Sequence, residues 1–395
     1  MKVIRKQQLA EICISALKIR KNKDIPHCTN PECPFFHHHD PDDTSWRKEH
    51  GSYYTAAFGD VQRYRCTLCG KTFSEQSFSL DYYVKHPVDY VPLIRSLVST
   101  SGMGNLGRFE NLRCELIENR YERLARSFLA LQAHLRQKIM HAEDFVLDGF
   151  ESFSCSQYYP NNINILVGSD SEFIYTMGFA QLRRKGRMTA EQKQKRAELE
   201  LLYGKAPPKA VEVSAASLLE DLAKSLQHRN IQSCVLYSDE HTSYPKALDQ
   251  LGMRKEMFQH VQISSKKART FQNPLFPVNY VDRQFRKDQA NQVRETVQFS
   301  RCPSAMMLRL TIYQVYHNFI MPKRVKEQRQ GNWDTRGEAV GISRTDISEA
   351  LYWIIGRRVF FHKSDLWSEE RQTWLAGWRN SQIPLGRYVP NYISV

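Results

Sequence analysis

The sequence predicts a mixed α/β protein, with a small cysteine-rich domain and a basic helical segment in front of the sheet and a helical region behind it. Three observations support this fold class. Two close cysteine pairs stand near the start, strand-like and amphipathic helical patterns alternate between residues 143 and 325, and most tryptophans lie in a helical stretch beyond. Strands interleaved with helices favour a layered α/β architecture with a mixed sheet.

Size and charge restrict what the chain can be. Its 395 residues are enough for two or three domains. A net charge of +14 with a pI near 9.3 indicates a polyanionic partner, most simply nucleic acid, although a merely soluble basic protein is the alternative. We expect no signal peptide, because Met1–Arg5 is followed by polar residues, and no run approaches the ~20 apolar residues that span a bilayer.

The first domain, residues 1–80, contains two cysteine pairs, Cys28/Cys33 and Cys66/Cys69. Four thiolates in two close pairs can form a closed tetrahedral zinc site. Gly70 lets the second turn tighten, so that backbone amides can point at the sulfurs. We therefore predict structural Zn²⁺; the alternative is four unrelated buried cysteines. The long intervening loop also offers other ligands, namely His37, His38, His39, Asp40, Asp42 and Asp43.

Residues 81–142 form a predicted helical segment. Val91, Ile94, Leu97 and Val98 have helical spacing, the glycine-rich stretch 101–107 indicates a turn, and a second periodic stretch follows. This pattern is compatible with a helix-turn-helix that enters the major groove of DNA. An ordinary helical linker with a solvated basic face is the alternative. The arginines that we expect to contact DNA here are Arg113, Arg120 and Arg123.

Residues 143–325 have the pattern of a mixed sheet with helices, and residues 326–395 that of a helical C-terminal region. Strands are predicted at 145–153, 163–167, 172–179 and 234–239, and amphipathic helices at 214–226 and 244–251. A basic, helical insertion occupies about 183–212. Candidate phosphate-binding residues from here onward are Arg183, Arg184, Lys266, Lys267, Arg283 and Arg286.

Three aspartates form the candidate catalytic constellation. Asp148 and Asp239 each follow a short apolar run, where a charge is costly unless it is compensated, and a divalent metal is the natural compensation. Asp282 can join them from a packed helix. Three carboxylates can hold two Mg²⁺ ions, or Mn²⁺, for phosphoryl transfer.

Each of these aspartates has an alternative interpretation. Asp148 can be a turn residue, Asp239 a helix N-cap and Asp282 the partner of Arg286. Asp288 and Glu295 are rivals for the third position. Secondary ligands can come from Glu151, Asp170 and Glu240.

Taken together and in order, these motifs resemble those of bacterial insertion-sequence transposases that carry an N-terminal zinc ribbon, a helix-turn-helix and a DDE or DDD catalytic domain. The similarity covers roughly residues 25–330. It rests on the two cysteine motifs Cys28–Cys33 and Arg63–Ser74, and on the segments Val146–Phe150, Leu236–His241 and Asn279–Arg286, with basic and aromatic residues after them at 294–299 and 316–319.

The resemblance implies an RNase H-like catalytic core with Asp148, Asp239 and Asp282 as its acids. It further implies magnesium-dependent cleavage at element ends and transfer of the 3′-hydroxyl ends into target DNA. The expected partner is double-stranded DNA (terminal repeats and target), bound by a homo-oligomer in the bacterial cytoplasm, at the nucleoid. Two other functions are considered: a non-catalytic DNA-binding regulator derived from a transposase, and an RNase H-like nuclease.

Overall fold

The computed structural model describes residues 25–37, 42–293, 296–324, 326, 330–379 and 390–395. The alternative zinc ligands His38, His39 and Asp40 and the rival third acid Glu295 lie outside the described residues.

The N-terminal domain is a small antiparallel sheet beside a short helix. Helix α1 (Pro34–His37) precedes strands β1 (Arg47–Thr55), β2 (Gly59–Cys66) and β3 (Thr72–Ser74), which pair in the order β1-β2-β3. Gly70, between β2 and β3, has a φ of +72°, a left-handed conformation that side chains disfavour. The turn that carries Cys66 and Cys69 therefore needs its glycine.

Three helices follow: α2 (Tyr90–Leu97), α3 (Met103–Phe109) and α4 (Cys114–Arg136). Asp89 caps α2, since its side chain accepts a hydrogen bond from the N–H of Val91 at 2.9 Å. The turn predicted at 101–107 is wrong in part, because Met103–Phe109 is helical. Gly107 permits close packing, since a Cβ there would lie 2.7 Å from the carbonyl oxygen of Leu112. Of the 23 residues of α4, 15 are buried, so this helix lies inside the protein along most of its length.

A five-stranded mixed sheet forms the centre of the molecule. Its strands are β4 (Phe145–Phe153), β5 (Pro160–Gly168), β6 (Ile174–Gln181), β7 (Cys234–Asp239) and β8 (Phe258–Ile263). Their order across the sheet is β6-β5-β4-β7-β8. The first three strands form an antiparallel meander, whereas β4 and β7, and β7 and β8, pair in parallel. The predicted mixed sheet is confirmed, and β8 is a strand that the sequence patterns missed.

Helices cover the sheet and continue beyond it. They are α5 (Ala190–Tyr203), α6 (Ala210–His228), α7 (Ser243–Asp249), α8 (Phe276–Asp288), α9 (Pro303–Val315), α10 (Arg336–Ala339), α11 (Arg344–Gly356) and α12 (Ser368–Trp374). A π-helical turn, Tyr316–Ile320, extends α9. Helix α5 has no buried residue and forms the exposed part of the basic insertion. No helix in the described part of the chain is both long and apolar enough to cross a bilayer.

Three hydrophobic clusters lie among the described residues, and the two larger ones connect these elements. The main core runs from Leu80 to Ile355, so the helices of 81–142, the sheet and α11 share one interior. A smaller core contains three of the four cysteines, Cys28, Cys33 and Cys66, together with Phe36, Phe73 and Phe78, whereas Cys69 is exposed. Phe360 and Val395, from the far end of the sequence, pack against this smaller core. The C-terminal region therefore stabilises the N-terminal domain.

Candidate metal centre and carboxylate site

The four cysteines predicted as zinc ligands lie together. The Sγ atoms of Cys28, Cys33, Cys66 and Cys69 are all within 4.8 Å of one another. The Cys28–Cys69 and Cys33–Cys66 sulfur pairs are 3.5 and 3.8 Å apart. Zinc–sulfur bonds of about 2.3 Å in a tetrahedron place sulfurs about 3.8 Å apart, so the spacing matches a zinc site.

Backbone N–H groups point at three of these sulfurs, and the one at Cys69 comes from the glycine-containing turn, as predicted. Asn30 donates to the Cys28 Sγ at 3.4 Å, and Phe35 and Lys71 donate to Cys33 and Cys69. Burial raises the pKa of the Cys28 and Cys33 thiols. Burial also acts to raise the pKa of Cys69, but the hydrogen bonds from Lys71 and the other three thiols outweigh it and lower that pKa to about 7. A thiolate at this position is thus accessible near neutral pH.

Aromatic rings hold the cysteine cluster in place. Trp46 stacks on Phe73 with ring centroids 5.5 Å apart, and the ring of His27 contacts Phe36, Phe78 and Phe360 at 4.8–5.3 Å. A domain this small needs such packing, because its hydrophobic core alone contributes little stability. The cysteines are thus preorganised by packing as well as by their turns.

The central sheet brings Asp148 and Asp239 side by side. Strands β4 and β7 pair in parallel with Leu147 opposite Ser238, so the next positions along each strand are Asp148 and Asp239. Neighbouring strands lie roughly 4.8 Å apart, and residues at matching positions point to the same face. Asp239 ends β7, as predicted. Asp148 instead lies within β4, which continues to Phe153 in its pairing with β5 alone.

Helix α8 adds the third aspartate from above this face. Its buried side contains Val278, Val281 and Phe285, and the Phe285 ring packs edge-on against Phe150 of β4 at 5.6 Å. Asp282 lies between these apolar anchors along the helix, so packing directs it toward the sheet. The sequence pattern predicted this inward face.

Electrostatic coupling shows that the three carboxylates share one environment. Burial and then the negative charges of Asp148, Asp239 and Asp282 all raise the pKa of Tyr244, at the start of α7. Burial raises the pKa of Asp148 to about 6; the N–H of Gly149 opposes this and the charge of Asp239 adds to it. Burial, followed by the charge of Asp148, raises the pKa of Asp282 to about 7.

Two observations bear on whether the carboxylates can hold a divalent cation. Oδ1 of Asp282 is fully enclosed and has no hydrogen-bond partner among the described residues, which is costly for a carboxylate. Oxygen-rich, mutually repelling acids are also the donors that Mg²⁺ prefers. Within the described residues, however, only the cysteines form a group with all ligand atoms inside 4.8 Å. The three acids are therefore spaced more widely than the ligands of one compact site.

The hydrogen bonds of the structure give a different outcome for each alternative interpretation of these acids. Asp239 accepts a hydrogen bond from the N–H of His241 at 2.9 Å, which is a turn contact that leaves its second oxygen available. The rival Asp288 accepts from the Tyr313 hydroxyl at 2.7 Å and is thereby engaged with α9. Arg286 donates to the backbone carbonyls of Glu151 and Gln292, and its positive charge also acts to lower the pKa of Asp282. The predicted interaction between Asp282 and Arg286 is thus present as an electrostatic one.

The assignment of Arg120 and Arg123 as DNA contacts is wrong in this conformation. Both side chains are buried. Arg120 donates to the carbonyl of His86 at 3.1 Å, and Arg123 donates to those of Leu80 and Tyr82. Both arginines thus bind residues 80–86, the segment between the cysteine-rich domain and α2. They do not face solvent because protein covers both sides of α4.

The other predicted basic residues are distributed unevenly. Arg113, Lys266, Lys267 and Arg283 are exposed. Arg183 forms a two-bond ion pair with Glu200 of α5, at 2.7 and 2.8 Å, and Arg184 lies over the ring of Tyr158. These two arginines therefore anchor the insertion at its base.

Two residues near the carboxylates were missed by sequence reasoning. The positive charge of Arg269 lowers the pKa of both Asp148 and Asp282, and it follows Lys266 and Lys267 in one exposed loop after β8. Tyr244 is buried among the three acids. The basic run of the loop was visible in the sequence, but its position above the acids depends on β8, which was not predicted.

No protein-family model matches the chain, and no curated protein matches it.

Proposed function

We propose that this protein is a DNA transposase that binds element ends and catalyses metal-dependent strand cleavage and strand transfer. The observation that carries the proposal is the convergence of Asp148, Asp239 and Asp282 from β4, β7 and α8 into one charge-coupled group. Raised pKa values from desolvation together with specific charged neighbours are characteristic of functional sites.

The topology of the sheet supports an RNase H-like core. An antiparallel meander, β4-β5-β6, is followed by two strands that add in parallel on the free side of the first strand. The first and fourth strands are then neighbours, which is the arrangement that places the first two acids of such a core side by side. Helix α8, after the last strand, carries the third.

The carboxylates of Asp148, Asp239 and Asp282 would hold Mg²⁺ or Mn²⁺, which when bound activates an attacking water or 3′-hydroxyl and stabilises the leaving oxygen of the phosphodiester. The protein's own residues have separate roles. Arg269 places a fixed positive charge beside the acids, where the phosphate would bind. Val278, Val281 and Phe285 fix α8 so that Asp282 keeps its direction.

The remaining parts supply DNA recognition. The cysteine cluster, loaded with structural Zn²⁺, would fold the N-terminal domain for contact with the terminal repeats. Arg113, at the exposed start of α4, can reach a phosphate in a duplex, and Lys266, Lys267 and Arg283 can do so near the acids. Joining two ends requires a homo-oligomer on DNA, at the bacterial nucleoid.

Cleavage of a labelled duplex that carries the flanking ends of the gene's own locus tests the proposal. With Mg²⁺ we expect nicks that leave 3′-hydroxyls, and with Ca²⁺ binding without cleavage. Asp148→Ala and Asp239→Asn are expected to abolish cleavage and retain binding, whereas Asp249→Asn, an exposed partner of Lys255, serves as the matched control. Tight duplex binding without any cleavage would overturn the transposase and favour a regulator. Cleavage of RNA–DNA hybrids alone would favour a nuclease.

A further inference from the structure

An aromatic row stands on the surface beside the carboxylates. Phe271 is 79% exposed and packs on Phe276, with ring centroids 4.3 Å apart. Phe276 stacks on Tyr280 at 6.3 Å and 28°. Because Phe276 and Tyr280 are four residues apart, both project from the same side of α8. We call Phe271, Phe276 and Tyr280 the aromatic platform.

The platform is open to solvent at the end formed by Phe271. Tyr280 is held from behind by Arg336, whose guanidinium lies 5.3 Å from the ring centre, and Arg283 lies 5.6 Å from the Phe276 ring centre. Phe271, at the outer end of the row, leaves most of its ring to solvent. Isolated exposed apolar side chains are common, but a held row of rings with an open end is a surface on which another flat group can stack.

The charge around the platform indicates which class of molecule carries the flat group that stacks on these rings. Lys266, Lys267, Arg269 and Arg283 are all exposed, and three of them precede Phe271 by two to five positions in the same loop. Such a surface favours an anionic chain over a neutral or cationic partner. Cationic residues interleaved with aromatic rings are the combination that binds single strands, with phosphates on the cations and bases on the rings.

The loop that carries Arg269 and Phe271 also determines where the aromatic platform lies relative to the three aspartates. Arg269, two residues before Phe271, acts electrostatically on Asp148 and Asp282. Two residues of chain span at most about 7 Å, so Phe271, at the outer end of the platform, lies close to the charge that acts on these acids. A strand that crosses the carboxylates thus meets the platform on leaving them.

We propose that the aromatic platform binds unpaired bases of the DNA strand next to the phosphate that reacts, with Phe271 stacking on the first of them. The position of this subsite along the strand rests on the proposed function, whereas single-strand binding itself does not. The duplex near the cut must then open by at least one base, and Phe271 compensates for the lost stacking.

Binding measurements test the proposal independently of cleavage. The probes are a fluorescently labelled oligothymidine and a fully paired duplex of similar length, with no divalent metal added. Stacking of one base on an aromatic ring corresponds to roughly 5- to 100-fold in affinity. We expect Phe271→Ala to weaken oligothymidine binding by a factor in this range and to change duplex binding less than about twofold. Phe271→Tyr is expected to retain the affinity, because it keeps the ring.

Two controls separate stacking from general effects. Phe109→Ala removes another exposed phenylalanine, 73% exposed on α3, and is expected to leave oligothymidine binding unchanged. A 2-aminopurine base in the strand is expected to be quenched by the wild type and by Phe271→Tyr, and not by Phe271→Ala. Equal oligothymidine affinities for wild type and Phe271→Ala would overturn the proposal, as would an equal loss in Phe109→Ala.

The cleavage and binding results together distinguish the transposase proposal from the platform proposal. If the wild type never cleaves the duplex but loses single-strand binding on Phe271→Ala, the platform stands and the transposase fails. If Asp148-dependent cleavage is present while Phe271→Ala binds oligothymidine normally, the transposase stands and the platform fails.

Discussion

Asp282→Asn is expected to stabilise the metal-free protein at alkaline pH. The substitution removes a buried negative charge whose Oδ1 has no hydrogen-bond partner among the described residues, while it keeps the volume of the side chain. A rise in pKa from 3.8 to about 7 corresponds to about 4 kcal/mol at 1.36 kcal/mol per pH unit. Because water and side-chain relaxation reduce such penalties, we expect a gain of about 2–4 kcal/mol in the free energy of unfolding.

The dependence on pH follows from the direction of the pKa change. The pKa of Asp282 is higher in the folded state than in the unfolded state, so protons favour folding. The free-energy penalty for burying the negative charge of Asp282 is absent below pH 3.8, grows as the pH rises, and is complete above about pH 7. The advantage of Asp282→Asn over the wild type should therefore be largest at about pH 8 and fall by about 2 kcal/mol at about pH 5.5.

Urea denaturation of both proteins at the two pH values, with and without Mg²⁺, measures these quantities. Mg²⁺ at about 100 times its Kd should add about 2.7 kcal/mol to the wild type and less to the variant, which has lost a ligand. A variant that is less stable than the wild type at about pH 8 without metal would refute the reasoning. In that case the carboxylate would be stabilised by a cation such as Arg286.

Three further predictions concern other parts of the molecule. Cys66→Ser should reduce bound zinc from one per chain to nearly none, measured as metal content after dialysis, because a tetrahedral site needs all four sulfurs. Combined Lys266→Ala and Lys267→Ala should reduce the slope of log K against log salt for duplex binding by about 2, since each phosphate contact contributes about 0.9. Arg336→Met should destabilise the protein by about 3 kcal/mol in urea denaturation, because it removes a fully buried partner 2.9 Å from Glu172.

Matched controls exist for each of these variants. Cys114→Ser changes an exposed cysteine outside the cluster and should retain zinc; full zinc content in Cys66→Ser would contradict the four-sulfur site. Lys195→Ala, on exposed α5, should leave the salt slope unchanged. Arg344→Ala removes surface ion pairs with Asp334 and Glu338 and should cost at most about 1 kcal/mol in the free energy of unfolding. If Arg336→Met costs no more than Arg344→Ala, the stabilising role of the buried Arg336–Glu172 pair is contradicted.

Local patterns in the sequence predicted the cysteine cluster and the end of β7 well. The spacing of Cys66 and Cys69 with Gly70 determines a turn within a few residues, so its geometry needs little help from the rest of the fold. Asp239 was predicted from the end of an apolar run, and β7 ends there. Such features depend on neighbours in sequence, which a reader of the sequence can see.

Features that depend on distant neighbours were missed. The arginines of α4 have the spacing of a solvated face, but Arg123 and Arg126 are covered by segments around Tyr82 and Trp374. The hydrophobic periodicity of residues 112–135 does not indicate that both sides of this helix are packed against other segments. The glycines of α3 likewise suggested a turn, whereas Gly107 is buried in a helix that packs against α4.

The contact of Phe360 with the cysteine domain has a consequence for synthesis of the protein. The ring of Phe360 packs between His27, Phe36 and Phe78, yet it is translated long after them. At roughly 5–20 residues per second, tens of seconds pass before this ring leaves the ribosome. In a nascent chain that has bound zinc by then, one side of the aromatic core around the cysteines stays exposed to water until Phe360 arrives. Chaperones or nonspecific partners have access to that side during this interval, and folding of the cysteine domain is complete only when the distal segment arrives.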